Sequence, residues 1–292
     1  MKRFISILLV LTALLAAAPV SYAENTQSRT VIGADLTEEQ VASVYATFGV
    51  SRGSVIELSL TNADERASLE GYVDPAIIGT KSISCVYVEL LPEGSGMDVT
   101  TSNITWCTSE MYISALATAG LTDAKIIVAA PFEVSGTAAL AGIYKAYEDM
   151  TGMKLDDVAK LVSTQELTIT GELAEEVGNM DSASIVNELK LMLAETKNMT
   201  DQQILAQIDA IAAQYNVKLT DAQKNQLVTL CRSLEGLDAD QLKSRVEDVQ
   251  NTLKKVSDAK TQVVGFVQSV KKVVDSVKGF FEKVGTALGW NK

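Results

Sequence analysis

Residues 81–136 constrain the fold more than any other part of the chain. From Lys81 to Leu91 the side chains alternate. Val86, Val88 and Leu90 fall on one face, and Ile83, Cys85, Tyr87, Glu89 and Leu91 on the other. That is the period of two that a half-buried strand requires. Pro92-Glu93-Gly94-Ser95-Gly96 supplies turn residues, and Met97 to Trp106 reads as a partner strand returning beside the first. Thr108 to Gly120 then patterns as a helix, Ala124 to Ala130 as a strand stopped by Pro131, and Ser135 to Met150 as a longer helix. Almost no residues are left over for long connections, so these elements must pack as neighbours.

The residues upstream are expected to complete this sheet. Residues 24–30 are polar and read as a leader. Thr37 with Gln40 forms a capping box, Val41, Val44, Tyr45 and Phe48 make one apolar face, and Gly49 ends the helix. Ser54 to Leu60 alternates as a strand, and a helix runs from Asn62 to about Gly71. After the first helix the order is β-α-β-β-α-β, the split arrangement of ferredoxin-like folds. The expectation is an α+β fold over 31–151. It has a four-stranded antiparallel sheet, two helices on one face, and extra helices at 37–48 and 136–150.

Residues 152–259 read as all-helical. Thr168-Ile169-Thr170-Gly171 interrupts the pattern of 164–177, and Ser182 to Thr196 carries a Leu and Met face. Thr200-Asp201-Gln202-Gln203, Thr220-Asp221-Ala222-Gln223 and Asp238-Ala239-Asp240-Gln241 look like three successive helix starts, which suits short antiparallel helices.

The two ends differ in character. Lys2 and Arg3 precede an apolar run from Phe4 to Ala18, and Ser21 and Ala23 are the small residues of a cleavage site. Residues 1–23 are therefore expected to be a secretory signal peptide cut after Ala23, which would place the mature chain outside the cytoplasm. Residues 260–292 read as a basic amphipathic helix. Val263, Val270, Val277 and Val284 recur every seven positions, with Phe266, Phe280 and Phe281 beside them and Trp290 near the end. Lys271, Lys272 and Lys278 lie opposite. Such a helix suits an anionic membrane surface, and it equally suits packing on the body or on a partner.

Charge and composition remove several functions. Residues 24–259 carry a net charge of −18 against +4 for the tail, and an acidic body does not suit nucleic acid. The chain has 0 His, which removes serine triads, Cys–His dyads and His-containing metal sites together. No cofactor or metal site is expected. Cys85, Cys107 and Cys231 allow one bridge at most, and Cys85–Cys107 is the preferred pair; buried free thiols are the alternative. Ser257-Asp258-Ala259-Lys260 matches a Ser–Lys motif in letters, without its companion motifs. Glu57 and Glu89 lie on strands and are the candidates for a buried carboxylate pair, the basis of an alternative reading as an extracellular carboxylate-dependent hydrolase.

Several stretches resemble one family. They are Ile32-Gly33-Ala34-Asp35-Leu36-Thr37, Gly79-Thr80-Lys81-Ser82-Ile83-Ser84, Ser102-Asn103-Ile104-Thr105-Trp106, Ala115-Leu116-Ala117-Thr118-Ala119-Gly120 and Pro131-Phe132-Glu133-Val134-Ser135-Gly136-Thr137-Ala138-Ala139-Leu140. On these the chain is similar to the YpuA-like family of predicted secreted Gram-positive proteins, a domain of unknown function. The resemblance implies export and a role at or outside the cell envelope, and it supplies no catalytic residues. Asn103, Thr105, Ser135 and Thr137 fall in these motifs, and turn and cap chemistry accounts for them individually. Their convergence at one end of the sheet would make a polar ligand-binding patch. The expected function is a non-enzymatic binding or scaffolding module, with an envelope component or a protein as partner. A membrane-interface protein acting through its tail is a further alternative.

Overall fold

The computed structural model describes residues 27–69 and 75–253. Strand β1 (Ser28–Gly33) leads through helix α1 (Glu38–Phe48) to β2 (Ile56–Leu60). Helix α2 (Asn62–Leu69) and the short α3 (Pro75–Ile78) precede β3 (Cys85–Leu90) and β4 (Met97–Ile104). Helix α4 (Ser109–Ala119) and β5 (Ala124–Val134) complete the sheet, and α5 (Thr137–Thr151) follows. The remaining elements are helices: α6 (Asp157–Val177), α7 (Asn179–Leu191), α8 (Leu193–Thr196), α9 (Asp201–Gln214), α10 (Asp221–Leu234), and α11 over 239–253.

The five strands form one mixed sheet in the order β2-β1-β3-β5-β4. β1 and β2 are parallel, β4 and β5 are parallel, and β3 runs antiparallel to its neighbours β1 and β5. Two β-α-β units thus flank a central strand. The architecture is α+β, and the ferredoxin-like order is corrected on two counts. β3 and β4 are not hairpin partners, because β5 lies between them. Residues 28–30 of the polar leader in fact open strand β1, an interior strand with all six residues buried. Its polar side chains find partners inside: the Thr30 hydroxyl meets the Tyr45 hydroxyl at 2.8 Å, and Arg29 Nε donates to Asp149 at 2.5 Å.

Each face of the sheet has its own core. Val41, Val44, Tyr45 and Phe48 of α1 cover Ile32, Cys85, Tyr87 and Ala129. On the other face α4 and α5 cover Val31, Val86, Val88, Ile126 and Val128. Leu155 and Leu167 of the helical region, and Val249 and Leu253 of α11, join this second core. The helices are therefore seated on the sheet layer. A separate core around Ile185, Leu189, Ile204, Ile208 and Leu227 holds α7, α9 and α10 together. Among the described residues no helix is long and apolar enough to cross a membrane.

Cys85 and Cys107 lie on these different faces, and Cys231 is in the helical core. Cys85 packs in the core under α1 and Cys107 in the core under α4 and α5; both are free, so the Cys85–Cys107 bridge is not formed. The interruption at Gly171 is also corrected. Helix α6 runs unbroken, and the glycine is there for the Trp106 ring, whose nearest atom would stand 2.4 Å from an added Cβ.

Candidate functional site

The end of β4 sets up the site. Pairing with β5 is regular to Ser102↔Ala129 and resumes at Ile104↔Val134, so the long side of the irregularity falls in β5. Pro131 sits in that stretch, where a missing N–H breaks no ladder bond, and the strand continues past it to Val134. Asn103 takes the left-handed conformation (φ 58°) at the same point, and its side-chain amide donates to the Ala130 carbonyl at 2.8 Å. Asn103 is thus a stitch across the bulge and does not line the cleft described next.

Beyond the bulge the two strands stay joined. Thr105 donates from both its backbone N–H (2.9 Å) and its hydroxyl (3.1 Å) to Val134 O, and Cys107 N–H donates to Ser135 O at 3.0 Å. Gly136 then starts α5 with φ 98°, and no other residue would fit. An added Cβ would stand 2.5 Å from Ile104 Cγ2 and 2.7 Å from the Tyr112 hydroxyl. That hydroxyl donates to Gly136 O at 2.6 Å. With glycine as N-cap, α5 has no side-chain cap, and the positive end of its dipole is left facing this region.

A cleft of about 610 Å³ opens here between α2, the loop before β3, the β4 and β5 ends and α6. Thr105, Ser135 and Thr137 line it, so three of the four residues expected in the patch converge. Trp106 forms part of the wall, its indole N–H donating to Glu175 Oε1 at 3.0 Å. Lys81 and Glu133 also line it.

The residue that sequence reasoning missed is Glu65. It is only 1% exposed although it lines the cleft. Thr137 donates its hydroxyl to Glu65 Oε1 at 3.4 Å, a long bond; among the described residues Oε2 has no hydrogen-bond partner, nor has the amide nitrogen of Asn62, which is near enough to favour the carboxylate. Burial pushes the carboxyl up to about 7, opposed by Thr137, by the Asn62 amide and by the Arg66 charge. The sequence signal was slight, because an acid in the first turn of a short helix ordinarily faces water.

The carboxylates expected as a pair do not form one. β1 lies between their strands, with Glu57 opposite Thr30 and Glu89 opposite Ser28. Burial raises the Glu57 carboxyl, but Arg52 (3.0 Å) and the Tyr45 hydroxyl (2.6 Å) outweigh it and hold it below the usual range. That is the opposite of what a general acid needs. The tail residues Phe266, Lys271, Lys272, Lys278, Phe280, Phe281 and Trp290 lie outside the described residues.

A family model described as a protein of unknown function, DUF1002, matches residues 32–256. The chain belongs to the DUF1002 family. A DUF1002-type relative, the "Uncharacterized protein YpuA" of Bacillus subtilis (strain 168), is 36% identical over 288 residues, covering 97% of this chain and 94% of its own length. No solved structure matches. The DUF1002 match spans both the sheet layer and the helices packed on it, so the cleft lies wholly within the family's shared region.

Proposed function

We propose that this DUF1002 protein is exported, loses residues 1–23, and works at or outside the cell envelope as a binding module whose ligand surface is the Thr105–Ser135–Thr137 cleft. The observation that carries this reading is Glu65, a carboxyl 1% exposed in a cleft wall with one oxygen lacking a hydrogen-bond partner among the described residues. A buried acceptor left open costs stability, and folds retain such groups mainly at sites of function. The hydroxyls of Thr105, Ser135 and Thr137 add neutral donors and acceptors around it, the composition expected of a specificity site.

The test is saturation binding of the mature chain to purified cell walls and, separately, to membranes. Ser135→Ala and Thr105→Val are expected to reduce retention at least about tenfold while melting within roughly 2 °C of the parent. Retention unchanged in both variants would sink the reading. N-terminal sequencing of secreted material tests export, with Glu24 expected as the first residue.

A second reading, a carboxylate-dependent hydrolase acting outside the cell, is favoured by the same group, since a carboxyl near 7 suits a general acid. It predicts that Glu65→Gln abolishes turnover of a ligand that the variant still binds. The reading in which the tail acts at a membrane is tested by sedimenting the full mature chain with anionic and neutral vesicles at low and high salt. Pelleting only with anionic vesicles, and only at low salt, supports it.

A further inference from the structure

We propose that the C-terminal segment 260–292 docks on its own chain, laying its apolar stripe over the corner where α5 turns into α6. Five large hydrophobic side chains stand exposed among the described residues. Three of them fall at this corner within nine positions: Met153 (59%), Val158 (47%) and Leu161 (38%). Val158 and Leu161 are about one turn apart on α6 and share a face. Leu161 also walls a cleft of about 510 Å³ between α2, α5 and α6, with Leu60, Ala141 and Tyr144 in its lining. The charges of that cleft are already paired. Lys145 donates to Ser59 O at 2.7 Å and to Asp64 at 3.5 Å, and Lys160 holds Glu148 and Asp157, each at 3.0 Å. What the corner leaves open is apolar area, which an apolar occupant fills and a small charged ligand does not.

The chain's own tail fits by composition, charge and reach. Val263, Val270, Val277 and Val284 recur every seven positions beside Phe266, Phe280 and Phe281, and the segment carries a net charge of +4. The rim of the corner is acidic. Asp156 and Asp157 immediately precede Val158, and Asp238 and Asp240 follow Gly236, where an added Cβ would stand 3.4 Å from Val158 Cγ1. At the far end of α11, Thr252 Oγ1 would stand 3.3 Å from a Cβ at Gly96. Helix α11 therefore runs from this corner to the turn before β4, about 22 Å for its 15 residues. From Leu253 to Lys260 the chain extends up to about 25 Å, enough to bring the start of the basic segment back to the corner. A tether this short holds the tail at an effective concentration on the order of millimolar. The tail of the same chain thus outcompetes a second copy of the protein in dilute solution.

The experiment is amine cross-linking of the full mature chain with a suberate linker, read by mass spectrometry. Lys154 stands in the corner with its side chain 88% exposed. Lys125, exposed on β5, is in register with Asp98 beside the Gly96 turn, and so lies close to the point where the chain leaves α11. A tail free in solvent links to Lys125 at least as often as to Lys154. The docked tail is expected to link Lys271, Lys272 and Lys278 to Lys154 in clear preference to Lys125. Val158→Glu and Leu161→Glu together put two charges on the apolar contact and should cut the Lys154 links at least about tenfold. The wild-type preference stands as evidence even where that variant folds poorly. Links to Lys125 that equal those to Lys154 would overturn the docking, as would Lys154 links that survive the double substitution. Mixing isotope-labelled and unlabelled chains separates links within a chain from links between chains. A majority between chains would give the corner to a second copy and overturn the intramolecular assignment. None of these outcomes bears on the Thr105–Ser135–Thr137 cleft, which stands or falls by its own test.

Discussion

Glu65 and Glu166 are both carboxylates withdrawn from water, 1% and 0% exposed, and their surroundings differ in every other respect. Glu166 on α6 is saturated. Ser114 donates to its Oε1 at 2.6 Å, Lys190 to the same atom at 2.9 Å, and Thr118 to Oε2. Lys190 also reaches Ser114 O, Ser114 Oγ and Thr118 Oγ1, at 3.0, 3.1 and 3.2 Å. This network ties α4, α6 and α7 into one unit, and Ser114, Lys190 and Glu166 are all sealed from solvent. A serine beside a lysine thus serves here as structural glue, although burial pulls the Lys190 ammonium down against the hold of Glu166. Glu65, in the wall of a cleft, has one long bond from Thr137 and the Asn62 amide nearby, and its Oε2 makes no hydrogen bond among the described residues. The difference teaches that burial alone does not mark function. What separates the two acids is whether the fold has already supplied their donors.

Lys190→Met attacks the saturated acid and should have the largest effect. It leaves Glu166 buried without its cation, at a cost of about 3–5 kcal/mol in urea unfolding. Adding Glu166→Gln should recover a large part of that loss. If the single variant is as stable as the parent, the network is not the glue described. Gly171→Ala comes next. The new methyl would meet Trp106 at 2.4 Å and Met111 at 2.9 Å, and should cost about 1–3 kcal/mol with a shift in Trp106 emission.

Glu65→Gln should move stability the other way. The folded carboxyl is raised, so the native state binds more protons than the unfolded chain between the unfolded value and about 7. The parent therefore loses stability as pH rises through that window, and the loss is complete above it. The amide does not titrate, so the variant should gain up to about 3 kcal/mol above that window and nothing at about pH 4. A gain equal at both pH values would show that Glu65 is not titrating as described. The smallest stability effect belongs to Ser135→Ala, within about 0.5 kcal/mol, with its consequence confined to binding.

Much of the local structure was legible in the chain. Thr37 with Gln40, Thr200 with Gln203 and Thr220 with Gln223 all form the capping boxes that their spacing announces. Gly49 and Gly120 end their helices in the left-handed conformation, and Asp238 Oδ1 accepts the Gln241 N–H at the start of α11. Thr105, Ser135 and Thr137 were legible as a patch, and Asn103 was not, because its bulge arises from a mismatch between two strands. Strand β1 was hidden by its own composition. Ser28, Arg29 and Thr30 read as solvated until Tyr45 and Asp149 arrive to partner Thr30 and Arg29.

By itself, then, the sequence determined the ends of the helices that carry their own caps, such as 38–48, 109–119 and the starts at 201 and 221, which stretches are strands in the central block, and that histidine chemistry is absent. Each of those rests on residue identity or on side chains within four positions of each other, where chain connectivity already supplies the partner. Only the tertiary structure decided the strand order, the separation of Cys85 from Cys107, and the fates of the two acids. Thr137 meets Glu65 across 72 positions, and Ser114 meets Glu166 across 52. No periodicity encodes such meetings. They follow from which faces are buried together, and that is settled when the sheet and the helices pack.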